Sequence, residues 1–413
     1  MEGVIKNDMK QYMSGQIKNI LKALFVILFI SCLFVNVLYL SFFFPLILLL
    51  IIRKIKNPEV VHISSPDVVI ILLCVVEIVG LHNTNYIPNT IKTSCVVVGG
   101  ATLWIVLRLY MKDLAVINLV LSVISILVGF LAAITVWNYY KHKMQFMEVE
   151  IFDMTVVKQY LRPFGMALND WVAVLICFLP FPLYMALRNK NKLLLFLLHM
   201  VSFVCVNMAI YVSFSRSGYF SLLLFVFFIA LLFFLYDRKK VAFAVLVAII
   251  GISFSLVTLI NEKVSVLKTS SMSGTISQQR STEGRTKKWK EAISLFKQTP
   301  LRGAGGGNYE LSSRLYGLKN YNSLSYRSTN TALQVLVEKG LIGISIYVLA
   351  FILVYYSCYK SVRSNCLVIP FISTIVALLF REMFFNTFFD NKVFTLFVII
   401  FYLSSLLIIQ DEK

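Results

Sequence analysis

Residues 23–52 read ALFVILFISCLFVNVLYLSFFFPLILLLII, from Ala23 to Ile52 without a single charge. A water-facing globule cannot bury such a run, and a bilayer needs only about 20 apolar residues to be crossed by one helix. The run is either one long helix or a hairpin of two short ones turning near Asn36. Lys18 and Lys22 precede it as basic residues precede a signal peptide. It is too long for one and has no small-residue cleavage site, so it is expected to be retained. Similar blocks fill the rest of the 413 residues, which are 59% hydrophobic and 14% charged with a mean hydropathy of +0.81. Soluble domains carry about 25% charged residues. The expected fold class is an all-α polytopic membrane protein.

Splitting the apolar blocks at their polar punctuation gives about twelve transmembrane helices, and the distribution of Lys and Arg tests that count. With the hairpin, Lys6, Lys10 and Lys18 fall on the same side as Arg53, Lys54 and Lys56. The connections at Arg108/Lys112, Arg188/Lys190/Lys192, Arg238/Lys239/Lys240 and Lys360/Arg363 then also lie on that side. Alternate connections, such as His82 to Thr93, are lean in basic residues. The scheme makes both termini cytoplasmic and assigns helices 1–9 to residues 1–260. An outer loop covers 137–169, a large helical extracytoplasmic loop covers 261–331, and three last helices cover 332–413. Long loops follow charge poorly, so their basic content is compatible with an outer location.

The net charge of +19 does not point to nucleic acid, because one part is the topology signal and another lies in the large loop. Seven cysteines form no CxxC, and His62, His82, His142 and His199 form no pair at ligand spacing. No metal and no cofactor is expected, and His199 reads as a packing residue in an apolar span.

Chemistry is expected in the two long outer connections, since connections in compact bundles are usually far shorter, and the second reads as a folded cap. Gly284 and Pro300 bound a helix over Arg285 to Gln298. Arg285, Trp289, Ile293 and Phe296 share one stripe, which puts Arg285 at the helix start against apolar surface. A guanidinium there suits a phosphate, because bidentate donors and the positive helix end converge. The other reading is an ordinary basic interfacial helix on an anionic leaflet. Leu301-Arg302-Gly303-Ala304-Gly305-Gly306-Gly307-Asn308 lacks the Lys-Ser/Thr ending of a nucleotide loop, and its glycines are expected to allow close packing or sharp bends. Asn330, Gln334 and Glu338 stack along one helix face, as a site or as a solvated shoulder. Arg216, in Ser213-Phe214-Ser215-Arg216-Ser217-Gly218, interrupts two apolar spans, and Glu77 lies inside another. Such charges mark a site, or else an interfacial anchor and a helix-holding ion pair. Arg381, Glu382 and Asp390 lie at the last outward turn.

Taken in order, three motifs resemble one family. They are Ser213-x-Ser215-Arg216-x-Gly218, Arg285-x-x-x-Trp289 ending in Pro300-x-x-Gly303-x-Gly305, and Asn330-x-x-Leu333-Gln334-x-x-x-Glu338-x-Gly340-x-x-Gly343. The chain resembles the O-antigen polymerase and ligase superfamily, closely in its C-terminal half and only by hydropathy in its N-terminal half. The resemblance implies a bacterial inner-membrane enzyme that transfers glycan from undecaprenyl diphosphate on the extracytoplasmic face, without metal and with inversion. It implies that Arg216 and Arg285 contact the diphosphate. Arg302, Arg327, Asn330 and Gln334 complete the expected substrate-binding set, and Glu338 is the first candidate for activating the acceptor, ahead of Glu310, Glu382 and Asp390. Expected partners are the lipid-linked glycan, membrane lipid and a chain-length regulator. One position departs from the family, which commonly has His before the Asn where this chain has Thr329. A threonine cannot act as a base at neutral pH, which favours a polymerase over a ligase. A lipid-linked oligosaccharide flippase is the reading from another class, although no internal repeat is visible.

Overall fold

The computed structural model describes residues 15–28, 30, 63–82, 84, 86–147, 168–213, 215–236, 247, 273–315, 328–383, 386–388 and 390–406. Among these, every regular element is helical and there is no strand. Helix α1 (Ser65–His82) is followed by α2 (Ile87–Tyr110), α3 (Leu114–Met147), α4 (Leu168–Phe178), α5 (Pro180–Arg188), α6 (Leu193–Val212) and α7 (Arg216–Tyr236). Then come α8 (Ser273–Phe296), α9 (Tyr309–Leu315), α10 (Thr331–Ser364), α11 (Ile369–Glu382) and α12 (Asn391–Leu406). Among the described residues six helices are long and apolar enough to cross a membrane, and Lys392–Leu406 is a shorter apolar one. The expected hairpin at Asn36 and the Arg238 to Lys240 turn lie outside the described residues, so the count of about twelve extends beyond them.

Local sequence sets the breaks. Ser64 opens α1 with its N–H and hydroxyl both donating to Asp67 Oδ2, at 2.7 and 2.6 Å. Pro88 sits in the first turn of α2, where its missing N–H costs nothing. Asn169–Arg188 is one span interrupted at Leu179, because Pro180 cannot continue the hydrogen-bond ladder of α4. That span is buried on nearly all sides, from Trp171 to Leu187, as expected of a central helix apolar all round. Around it α3 and α6 approach closely where Gly129 faces Ser202, whose backbone a Cβ would meet at 2.9 Å. Ser125 and His199 Nδ1 join the same pair at 2.9 Å, so His199 packs as expected.

Contacts sort the helix ends. Arg108 pairs with Asp67 at 2.7 Å, Tyr402 donates to the Met111 carbonyl at 3.4 Å, and Tyr184 packs on Phe371 at 5.3 Å. Cys366 Sγ donates to the Tyr236 carbonyl at 3.7 Å. The basic turns at Arg108/Lys112, Arg188/Lys190/Lys192 and Lys360/Arg363 therefore gather at one end. The α1–α2 turn and the starts of α4, α7 and α10 gather at the other.

Two sequence expectations change. Helix α8 begins at Ser273, so Arg285 stands in mid-helix and not at a helix start. Gly284 does not stop the helix because a single glycine costs only about 1 kcal/mol relative to alanine. Ile293 is exposed, and Ala292 and Leu295 are buried in its place against Tyr309 and Val337. The buried stripe thus runs one position to the side of the expected one. Helix α3 also carries on to Met147, so the first part of the 137–169 connection is helical.

Candidate functional site

The basic-poor end of the bundle is built around a break in α10. Gly340 has φ 64° and ψ −164°, outside helical values, and so frees backbone groups on both sides of itself. The Val337 and Glu338 carbonyls accept from the N–H groups of Ala304 (3.0 Å) and Gly305 (2.8 Å). The N–H groups of Leu341 and Ile342 donate to the carbonyls of Pro300 (2.8 Å) and Leu301 (3.2 Å). The glycine-rich loop therefore completes a broken helix, and this is the close packing its composition implied. Gly303 and Gly340 lie so close to each other's backbone segments that a Cβ on either would run into backbone, at Glu338 and at Leu301 respectively. The loop's far side rests on the α1–α2 turn. Thr90 donates to the Gly306 carbonyl at 2.9 Å, and Asn308 Nδ2 donates to Thr84 Oγ1 at 2.7 Å.

Beneath the loop lies a buried ion pair. Lys339 reaches Glu77 Oε2, which also accepts from Ser94 Oγ at 3.1 Å, and both charged side chains are under 4% exposed. Glu77 is thus a helix-holding partner. Sequence reasoning missed Lys339, although two opposite charges in otherwise apolar segments are the signal for such a pair. Glu338 is buried beside it, accepting from Gln334 Nε2 at 2.6 Å and from the Gly307 N–H. Gln334 Oε1 accepts from the Ser328 N–H at 3.1 Å and from Asn386 Nδ2. Asn330 caps α10 by accepting from the Leu333 N–H at 3.0 Å, while its Nδ2 donates to the Met383 carbonyl at 2.8 Å. Both Asn330 and Gln334 therefore spend their polar atoms on the frame of the site.

The seam continues into α11. Glu382 Oε2 accepts from Thr331 Oγ1 at 2.7 Å and from the N–H groups of Thr387 and Phe388 at 2.8 and 2.9 Å. Arg381, 1% exposed, donates to Glu382 at 3.1 Å, to Thr387 Oγ1 at 2.7 Å and to the Asn169 carbonyl at 2.6 Å. These bonds tie α4, α10 and α11 together, so Arg381 and Glu382 are structural members of the site. Asp390 turns the chain into α12, accepting from the Lys392 N–H at 3.0 Å. Glu310 pairs with Arg314 on α9.

Arg216 opens α7; its side chain is outside the described residues, as is all of Arg327. The start of α7 reaches the same end as the seam, since Phe220 stacks on Phe380 at 5.0 Å and Gly218 abuts Val172 of α4. Arg285 is half-buried on the inward face of α8, in line with Trp289 and Ala292. Lys288 shares that face, and burial, opposed by the neighbouring Glu291 and aided to a smaller degree by Arg285, lowers its ammonium below the usual lysine range. Two cationic side chains, Arg285 and Lys288, thus share the half-buried side of α8, with Glu291 beside them. Arg302 is exposed on the outer surface of the loop. Thr329 sits next to the cap with its hydroxyl oxygen buried and unpartnered. Among the described residues no cluster of His, Cys, Asp and Glu could hold a metal ion.

The family model described as O-Antigen ligase, Wzy_C, matches residues 200–348, from α6 to the outer half of α10. Over that stretch the chain is similar to the O-antigen ligase family. No curated protein and no solved structure matches the chain. The matched stretch contains Arg216, Arg285, Arg302, Asn330, Gln334 and Glu338, and the Glu77, Arg381 and Glu382 supports lie outside it. The match supports a likeness to the O-antigen polymerase and ligase superfamily, whose members are glycosyltransferase-like enzymes.

Proposed function

We propose that the chain is a polysaccharide polymerase of the bacterial inner membrane, joining undecaprenyl-diphosphate-linked repeat units by glycosyl transfer on the extracytoplasmic face. The observation that carries this reading is that Arg285 and Lys288 share the half-buried side of α8, at the end of the bundle where α7 begins with Arg216. A departing diphosphate needs counter-charge, and fixed guanidinium groups supply it in a site of low dielectric. A sugar hydroxyl of the acceptor attacks the anomeric carbon, the bond to the lipid diphosphate breaks, and the leaving group retains its negative charge against Arg216 and Arg285. A single displacement inverts that carbon. Glu338 is the group in the seam suited to take the hydroxyl proton, held by Gln334 and the Gly307 N–H. Its carboxylate lies under the glycine loop, so this role requires the acceptor to enter between loop and seam.

Thr329, in place of the family's usual histidine, favours a polymerase. The family's description favours the second reading, a ligase moving finished glycan to a lipid A core. Purified protein in vesicles with lipid-linked repeat units should lengthen the glycan with neither ATP nor an ion gradient. Unchanged repeats would overturn enzyme and polymerase together and restore a flippase. A deletion strain separates the other two, since loss of a polymerase leaves single repeats on the surface lipid and loss of a ligase leaves none.

A further inference from the structure

The lipid-facing side of α10 can be followed outward, one exposed residue after another, through Tyr359, Tyr356, Tyr355, Ile352, Val348 and Ile342. Counting about 20 residues at 1.5 Å each back from Lys360 gives the thickness of the hydrocarbon and ends near Leu341. The three tyrosines then lie at the inner interface, where aromatic rings collect. Leu341 and Ile342, 45% and 42% exposed, mark the outer edge of the hydrocarbon. The loop is bonded to them at this level through the Pro300 and Leu301 carbonyls, and Leu301 is itself 62% exposed. An apolar ledge of Leu301, Leu341 and Ile342 thus extends the lipid face of the span onto the loop. Arg302 follows Leu301 directly. Lys297 stands one turn before it, just past the end of α8, its N–H bonded to the carbonyl of the exposed Ile293, and Lys290 is exposed one turn earlier than Ile293 on α8.

We infer that this ledge is a lipid-anchoring surface, in which Leu301 enters the outer leaflet and Lys290, Lys297 and Arg302 bind the phosphate headgroups of anionic phospholipid. Apolar side chains at the hydrocarbon edge with cations just beyond are the arrangement such a surface needs. The inward face of α8, with Arg285, is left to face the bundle. The anchor fixes the height of the cap above the bilayer and does not depend on the proposed glycosyl transfer.

The test uses the full chain in vesicles, with Leu301→Cys carrying an environment-sensitive fluorophore and the wild-type chain, labelled in parallel, as background. In phosphatidylcholine containing phosphatidylglycerol, the fluorophore should be quenched by a nitroxide on the upper acyl chain and shielded from aqueous iodide. A Lys297→Gln/Arg302→Gln pair in the same background should remove the dependence of that quenching on phosphatidylglycerol. Quenching by iodide and not by nitroxide overturns the anchor. Insertion that needs undecaprenyl diphosphate, and is indifferent to phosphatidylglycerol, also overturns it and gives the surface to the substrate.

Discussion

Glu77 and Lys339 form a pair from which water is excluded, and one oxygen of Glu77 has no further partner. Removing either charge strands the other, at a cost of about 3–5 kcal/mol. Glu77→Gln is therefore expected to lower the thermal midpoint in detergent sharply, and Glu77→Gln with Lys339→Met to recover much of the loss. A double variant as unstable as the single one would show that the pair is not the source. Arg216 and Arg285 belong to a different class of residue, because each is expected to act on the leaving group. Their alanine variants should insert normally and lose elongation by about 10²-fold or more, the scale of losing one group that stabilises developing charge. Wild-type chain lengths in either variant would remove the diphosphate assignment.

Gly284 and Gly340 behave in opposite ways. Gly284 lies in α8 with nothing within 4 Å of a Cβ, so Gly284→Ala should stabilise by about 0.5–1 kcal/mol. Gly340 has a positive φ and backbone pressed against it, so Gly340→Ala should destabilise by about 1–3 kcal/mol or more. Thermal unfolding of the two variants side by side checks both signs. The same contrast shows what the sequence could and could not reveal. Hydropathy placed α2 through α7 and α10 because a membrane span depends only on its own composition. The polar stripe Asn330, Gln334, Glu338 was legible too, since helical periodicity is local. Whether those side chains face substrate or one another is decided by Asn386, Met383 and Gly307, which are distant in the chain. The true start of α8 was hidden because Gly284 looks like a boundary and is not one. Lys339 was hidden because its partner lies on another helix.

At the scale of the whole molecule, the basic turns gathered at one end predict, by the positive-inside rule, that this end is the cytoplasmic one. Lys190→Cys should thus react with an impermeant thiol reagent only after the inner membrane is opened, and Gln298→Cys in intact spheroplasts. The reverse pattern would invert the protein and place the seam on the wrong face for its proposed substrate. The splice between loop and span also bears on biogenesis. Gly340 lies at the outer edge of the hydrocarbon, where an unmet buried backbone group costs about 1–3 kcal/mol, so the severed ladder is seated best with the loop in place. The residues that mend it precede α10 in the chain, and by the proposed orientation they must already have crossed to the outer side when that helix arrives. On that orientation each newly made copy exports its cap before α10 is seated, and damage to an external loop is expected to be felt as a failure of membrane insertion.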